Sequence, residues 1–131
     1  MKSVNFPYSA ALGAAATPRP EGDLLLLGPK GSLAFGFVVV DSGADYVVLP
    51  EKAGLGVGLT LPRTPTTTLN GVGGSVGAAL VRGVDVEFQR WRIKIDVMFD
   101  YSNGVRPLFG RSGIRALQDI GMDRTDWHWN P

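Results

Sequence analysis

The stretch Phe37-Val38-Val39-Val40-Asp41-Ser42-Gly43-Ala44-Asp45 decides how the rest of the chain is read. Its first four residues are apolar on both faces, the pattern of a strand buried in the middle of a sheet. A carboxylate follows at once, then a hydroxyl residue and a glycine, which is turn chemistry. Another short apolar run, Tyr46–Leu49, comes next and is stopped by Pro50.

Upstream, Asp23–Leu27 and Leu33–Val40 flank Gly28-Pro29-Lys30-Gly31 and are predicted to form a hairpin. Val4–Tyr8 is expected as an edge strand, joined to it by an extended connector through Pro18 and Pro20. Downstream, Val57–Leu61 and Thr66–Leu69 are expected as strands separated by Pro62 and Pro65. The β-branched Thr66-Thr67-Thr68 disfavours helix. Asn70-Gly71-Val72-Gly73-Gly74 forms a hairpin tip with more glycine than any turn needs. Ser75–Phe88 and Arg92–Phe99 follow as two long strands. In the second, Ile93, Ile95 and Val97 alternate with Arg92, Lys94 and Asp96, a period of two.

A single helix is expected near the C-terminus. Ser112 is placed to cap it, Ile114, Leu117 and Ile120 recur at i+3, and Gly121 is placed to end it. Thr125–Trp129 is expected as a last strand, with Trp127 and Trp129 on one face. The fold class is therefore all-β with one short helix, built as a closed, barrel-like sheet.

Composition bounds the function. At 131 residues the chain suits a single domain spanning 1–131, with no room for two comparable lobes. Its net charge is +1 and its basic residues are scattered, so no electrostatic footprint for nucleic acid exists. Cysteine is absent, which excludes disulfides and thiolate metal sites. No run of 18 apolar residues occurs, so no membrane span is expected, and a cytoplasmic setting is inferred. His128 is the single histidine, too little for a histidine-based nucleophile triad or a zinc site. Gly71–Val76 lacks the third glycine of a dinucleotide fingerprint, and Gly28–Ser32 lacks the spacing of a phosphate loop. No cofactor and no metal is implied.

The remaining chemistry is carboxylate chemistry. Peptide hydrolysis by carboxylates needs two of them about 3 Å apart sharing one proton, because both cannot ionise at that distance. One takes a proton from water while the other donates to the scissile carbonyl. Asp41 is the candidate, with Ser42 able to hydrogen-bond across the turn and Gly43 allowing close backbone approach. An ordinary turn is the bland alternative for the triplet.

The surrounding pattern resembles the retropepsins, the retroviral-type aspartic proteases and their cellular and bacterial relatives. In them an apolar strand, Asp-Ser/Thr-Gly-Ala, a short apolar strand, a glycine-rich flap, and two apolar residues before a glycine and a short helix follow in order. Here these are Val38–Val40, Asp41–Ala44, Val47–Leu49, Gly71-Val72-Gly73-Gly74 and Leu108-Phe109-Gly110-Arg111, over roughly residues 23–121. The resemblance implies a closed acid-protease barrel with a flap hairpin. It makes Asp41 the catalytic aspartate and Ser42 the hydroxyl that grips the partner chain's loop. It has Gly43 accept hydrogen bonds from substrate backbone, with Ala44 and Asp45 beside it in the substrate-binding stretch. Gly71, Val72, Gly73 and Gly74 would close over the peptide. Arg111, after Gly110, would pair with Asp45. Ser42 replaces the commoner Thr, Ser112 stands where Asp or Asn is common, and the flap has no aromatic residue.

No second Asp-Ser/Thr-Gly occurs in the chain. If the chemistry needs two equivalent aspartates, a two-fold axis must supply the other, and the working unit is a homodimer acting on a peptide or protein. Trp127 and Trp129 on an exposed terminal strand would suit such an interface, or equally would pack back on their own barrel. The competing reading is a module of the same fold that dimerises or binds peptides without cleaving them.

Overall fold

The computed structural model describes residues 4–7, 20–71, 73–117, 120–122 and 126–129. Along the chain run β1 (Val4–Pro7), β2 (Glu21–Gly28), β3 (Gly31–Val40), β4 (Val47–Pro50), α1 (Glu51–Gly56) and β5 (Thr67–Gly71). After these come β6 (Gly74–Phe88), β7 (Trp91–Asp100), β8 (Leu108–Phe109), α2 (Arg111–Ile114), β9 (Ile120–Met122) and β10 (Asp126–Trp129).

The expected β2–β3 hairpin forms, with Gly28 opposite Gly31 and the turn made by Pro29 and Lys30. Gly31 has φ +145°, a conformation that glycine adopts without steric cost. From there the sheet runs β2-β3-β8-β4-β7-β6-β5, and β2 pairs again with β6. That second pairing, Leu24 opposite Phe88 and Leu26 opposite Val86, closes the sheet into a barrel. The β5–β6 hairpin projects beyond the closed part. A second sheet, β1-β10-β9, gathers the two termini.

The interior alternation of the strands fills the barrel. Leu24, Leu26, Val86, Phe88, Val97, Phe99 and Phe109 are all at most 1% exposed. The rings of Phe88 and Phe109 stack at 3.8 Å, joining the closing seam to β8. The predicted alternation in β7 holds, with Ile95 and Val97 buried while Arg92 and Lys94 are exposed.

Four expectations are corrected. The sequence pattern puts Phe37 in a run buried on both faces, yet it is 56% exposed with φ +56°. The β2–β3 register shifts between Gly22 and Leu24, and this bulge rotates Phe37 outward. Glu51–Gly56 is a helix that no sequence signal announces, with Ala53 and Gly54 buried and Gly54 packed against the Phe99 ring. Val57–Leu61 is not a strand. The Val57 N–H donates to the Ala53 carbonyl (3.2 Å), Gly58 sits at φ +88°, and Leu59 and Leu61 reach the core from irregular chain. Finally, the helix expected through Gly121 is only Arg111–Ile114, and its N-cap is Gly110, with no side-chain capping bond from Ser112. Ile120 and Gly121 belong to β9 instead.

The expected terminal strands form as β1 and β10, but β10 is the central strand of its sheet rather than an exposed one. The side chains of Trp127 and Trp129 and of His128 lie outside the described residues.

Candidate functional site

Asp41 stands where β3 leaves the barrel. Its N–H donates to the Phe109 carbonyl (3.1 Å), extending the parallel β3–β8 pairing by one residue. Its Oδ1 accepts the Gly43 N–H at 2.9 Å, and its carbonyl accepts the Ala44 N–H at 3.2 Å. The carboxylate is thus held by its own turn, with Oδ1 engaged and the side chain half-buried at the mouth of a cleft. A Cβ on Gly43 would lie 3.1 Å from Oδ1, so the turn is already tight. Ser42 is exposed and makes no hydrogen bond to another described residue, so the expected cross-turn bond is absent within one chain.

The loop is fastened from below by the chain after β8. The Arg111 N–H donates to the Ala44 carbonyl (2.8 Å) and the Ser112 N–H to the Asp45 carbonyl (3.0 Å). Gly110 is buried between them. The Arg111 guanidinium forms an ion pair with the Asp45 carboxylate, the pairing that the family resemblance implied. Both are largely exposed, at 52% and 69%, whereas a mostly buried pair would have been needed for a large contribution. Arg111→Ala is therefore expected to lower the chain's stability by about 0.2–1 kcal/mol, as exposed pairs do. A urea titration checks this, and a loss above about 3 kcal/mol, the scale of a broken buried pair, would contradict it.

Ser112 has a role that the sequence did not suggest. Its hydroxyl accepts the Val47 N–H (2.9 Å) and donates to the Asp96 carbonyl (2.7 Å). It bridges β4 and β7 at the point where their parallel pairing begins, at Val47 opposite Val97.

The cleft measures about 1220 Å³ and runs from Asp41, Gly43, Ala44 and Asp45 to the β5–β6 hairpin. That is above the range of roughly 300–1,000 Å³ usual for small-molecule sites and suits an extended ligand. Gly71 and Gly74 face each other across the hairpin tip, and Gly74 has φ +113°. A Cβ on Gly71, Gly73 or Gly74 would meet nothing within 4 Å, so the tip is uncrowded. Val72 lies outside the described residues. The cleft floor is a second apolar cluster in which Val48, Ala78 and Met98 are buried, with Tyr46, Leu80 and Leu108 packed against it. Sequence reading does not single these out, because their alternation is that of any half-buried strand. Among the described residues no group of three or more His, Cys, Asp or Glu is placed to hold a metal ion. Nor is any helix among them long and apolar enough to cross a membrane.

A closed mixed barrel, an Asp-Ser-Gly loop at the end of an inner strand, and a glycine-tipped hairpin across a long cleft define a retropepsin-like fold. A solved structure agrees: a retropepsin-like aspartic protease from Rickettsia conorii superposes with a TM-score of 0.69 at 15% sequence identity, over 98% of each chain. No family model and no curated protein sequence matches the chain.

Proposed function

We propose that this chain is one half of an aspartic endopeptidase, in which two Asp41 carboxylates, one from each protomer of a homodimer, activate the water that attacks a peptide bond. The observation that carries this reading is the Asp41 turn itself. The carboxylate is fixed by the Gly43 N–H at 2.9 Å and opens on a cleft sized for an extended chain. One such turn per chain supplies half of the pair that the chemistry needs.

Within this reading the exposed Ser42 hydroxyl is free to bond the partner's equivalent loop at the two-fold axis. Gly43 accepts from substrate backbone, and Ala44 and Asp45 continue the binding surface outward. Gly71, Val72, Gly73 and Gly74 bend over the bound peptide, which an uncrowded glycine tip permits.

Dilution tests the shared site. Below the dimer dissociation constant, initial rates of peptide cleavage should scale with the square of chain concentration. Linear scaling in a range where sedimentation shows only monomer would refute the two-chain site. Cleavage that persists after Asp41→Asn would refute the protease reading altogether.

A further inference from the structure

Asp100 ends β7 and is 0% exposed. Together with Glu21 it makes up the buried charged residues among those described. Glu21 faces the Arg106 guanidinium at 3.7 Å. Asp100 faces no cation among the described residues. Its charge is met by three donors: Oδ1 accepts the Ser102 N–H (2.8 Å) and the Ser102 hydroxyl (2.7 Å), and Oδ2 accepts the Val105 N–H (2.8 Å). Hydrogen bonds to an ionised acceptor are roughly twice as strong as neutral ones, and a carboxylate is left this deep only where such donors compensate it.

An Asp-x-Ser turn requires the first of these bonds. The third reaches five residues along the chain and sets the shape of everything from Tyr101 to Val105. Other ties act on the same segment. The Tyr101 N–H donates to the Gly77 carbonyl (2.9 Å), and the Asn103 Oδ1 accepts the Lys52 N–H at 3.0 Å. The Tyr101 hydroxyl donates to the Pro62 carbonyl, and desolvation, with the Glu51 carboxylate, pushes that phenol above its ordinary range, so it stays protonated. Ser102, Gly104 and Val105 form part of the cleft wall beside Met98 and Leu108. None of these ties touches the Asp41 turn, which is held by Gly43, Ala44 and Phe109.

We propose that Asp100 is a positioning residue for substrate selection: its buried carboxylate sets segment 101–105 as a rigid wall that decides which side chain of a bound peptide the cleft accepts there. This role rests on the protease reading above. Because the wall is separate from the carboxylate chemistry, losing it should weaken ground-state and transition-state binding alike, which raises KM and spares kcat.

The test measures kcat and KM on sets of peptides that differ in one residue at a time across the cleaved bond. Asp100→Asn keeps the volume but presents an N–H₂ where an acceptor is needed. KM for the preferred peptide should rise about tenfold, kcat should change less than about twofold, and the preference among the peptides should flatten. Ser102→Ala should shift KM and preference in the same direction by less. Should Asp100→Asn fail to fold, Ser102→Ala decides: a raised KM with flattened preference supports the role, and unchanged KM and preference overturn it. A merely stabilising Asp100 would lower kcat through loss of folded enzyme and leave KM and preference unchanged, and that result would overturn the proposal. A wild type that cleaves no peptide would overturn the protease reading itself, whereas an active wild type whose variants keep their preference overturns only the role of Asp100.

Discussion

Asp41→Asn is expected to abolish peptide cleavage, lowering kcat by at least about 10³-fold, while the variant still folds and dimerises. The size follows from the role. General acid–base catalysis contributes typically 10²–10⁴-fold, and in the proposed dimer the substitution removes both the base and the acid, since that proposal takes both from Asp41 of the two chains. Asn fits the same space, and its side-chain oxygen can still accept the Gly43 N–H that the Asp41 Oδ1 now accepts at 2.9 Å. The fold therefore has little reason to change, and circular dichroism should be superimposable on the wild type.

Mixing the two chains sharpens the expectation. With equal amounts and random pairing, about one quarter of the dimers carry two Asp41 residues, so about one quarter of the activity should remain. Independent sites in each chain would leave about one half. On the proposed function, cleavage by the wild-type chain should also show a bell-shaped pH profile with its maximum at mildly acidic pH. Ionisation of both carboxylates removes the acid on the alkaline side, and protonation of both removes the base on the other. A profile that is flat from pH 3 to 9 would be incompatible with a shared-proton pair.

The barrel is legible wherever side-chain period and local structure agree. In β7 the alternation of Ile93, Ile95 and Val97 with charged residues can be satisfied by a strand alone, and the Gly28–Gly31 turn marks the β2–β3 hairpin. What local pattern misses is structure decided by distant packing. The helix Glu51–Gly56 has two glycines in six residues and too few positions for a period, and distant packing supports it: Ala53 joins the core and Gly54 lies against the Phe99 ring. Val57 and Leu59 have strand-like composition, but their amides are taken by the Ala53 and Gly54 carbonyls at that helix's end. The apolar i+3 series Ile114, Leu117 does mark core positions, with Leu117 buried, although the helix stops at Ile114.

The candidate site divides in the same way. The Asp41 turn is readable from its own contiguous triplet, whereas the pairing of Arg111 with Asp45 is legible through the family resemblance and not through any local pattern. The Ser112 bridge between Val47 and Asp96 joins segments far apart in sequence, and no local pattern encodes it. Asp100 does carry a signal, the Asp-Tyr-Ser-Asn-Gly composition of an Asx turn, but that signal is unlike the Asp-Ser/Thr-Gly triplet that points to catalysis. Its burial, by contrast, is a property of the folded barrel.

Gly110→Ala should be severely damaging, costing more than about 3 kcal/mol and lowering Tm by roughly 10 °C or more. Backbone torsions are not the reason. Gly110 has φ −87° and ψ −167°, extended backbone that alanine accepts. Space is the reason. A Cβ there would lie 2.2 Å from the Tyr46 carbonyl oxygen, 2.7 Å from the Tyr46 carbonyl carbon and 2.8 Å from the Ala44 carbonyl oxygen. All three are main-chain atoms of the segment that carries Asp41, so no side chain can rotate away to make room. The strand and loop would have to separate, and the Arg111 N–H bond to the Ala44 carbonyl (2.8 Å), with the Ser112 N–H bond to the Asp45 carbonyl (3.0 Å), would stretch or break. Gly56→Ala supplies the control. Gly56 is the last residue of α1 and exposed, a Cβ added to it would meet nothing within 4 Å, and alanine favours helix over glycine by about 0.5–1 kcal/mol. Thermal unfolding of both variants separates the two effects. Gly56→Ala should match or exceed the wild-type Tm, and a Gly110→Ala protein melting within about 2 °C of wild type would mean that the chain after β8 does not press on the Asp41 loop as described.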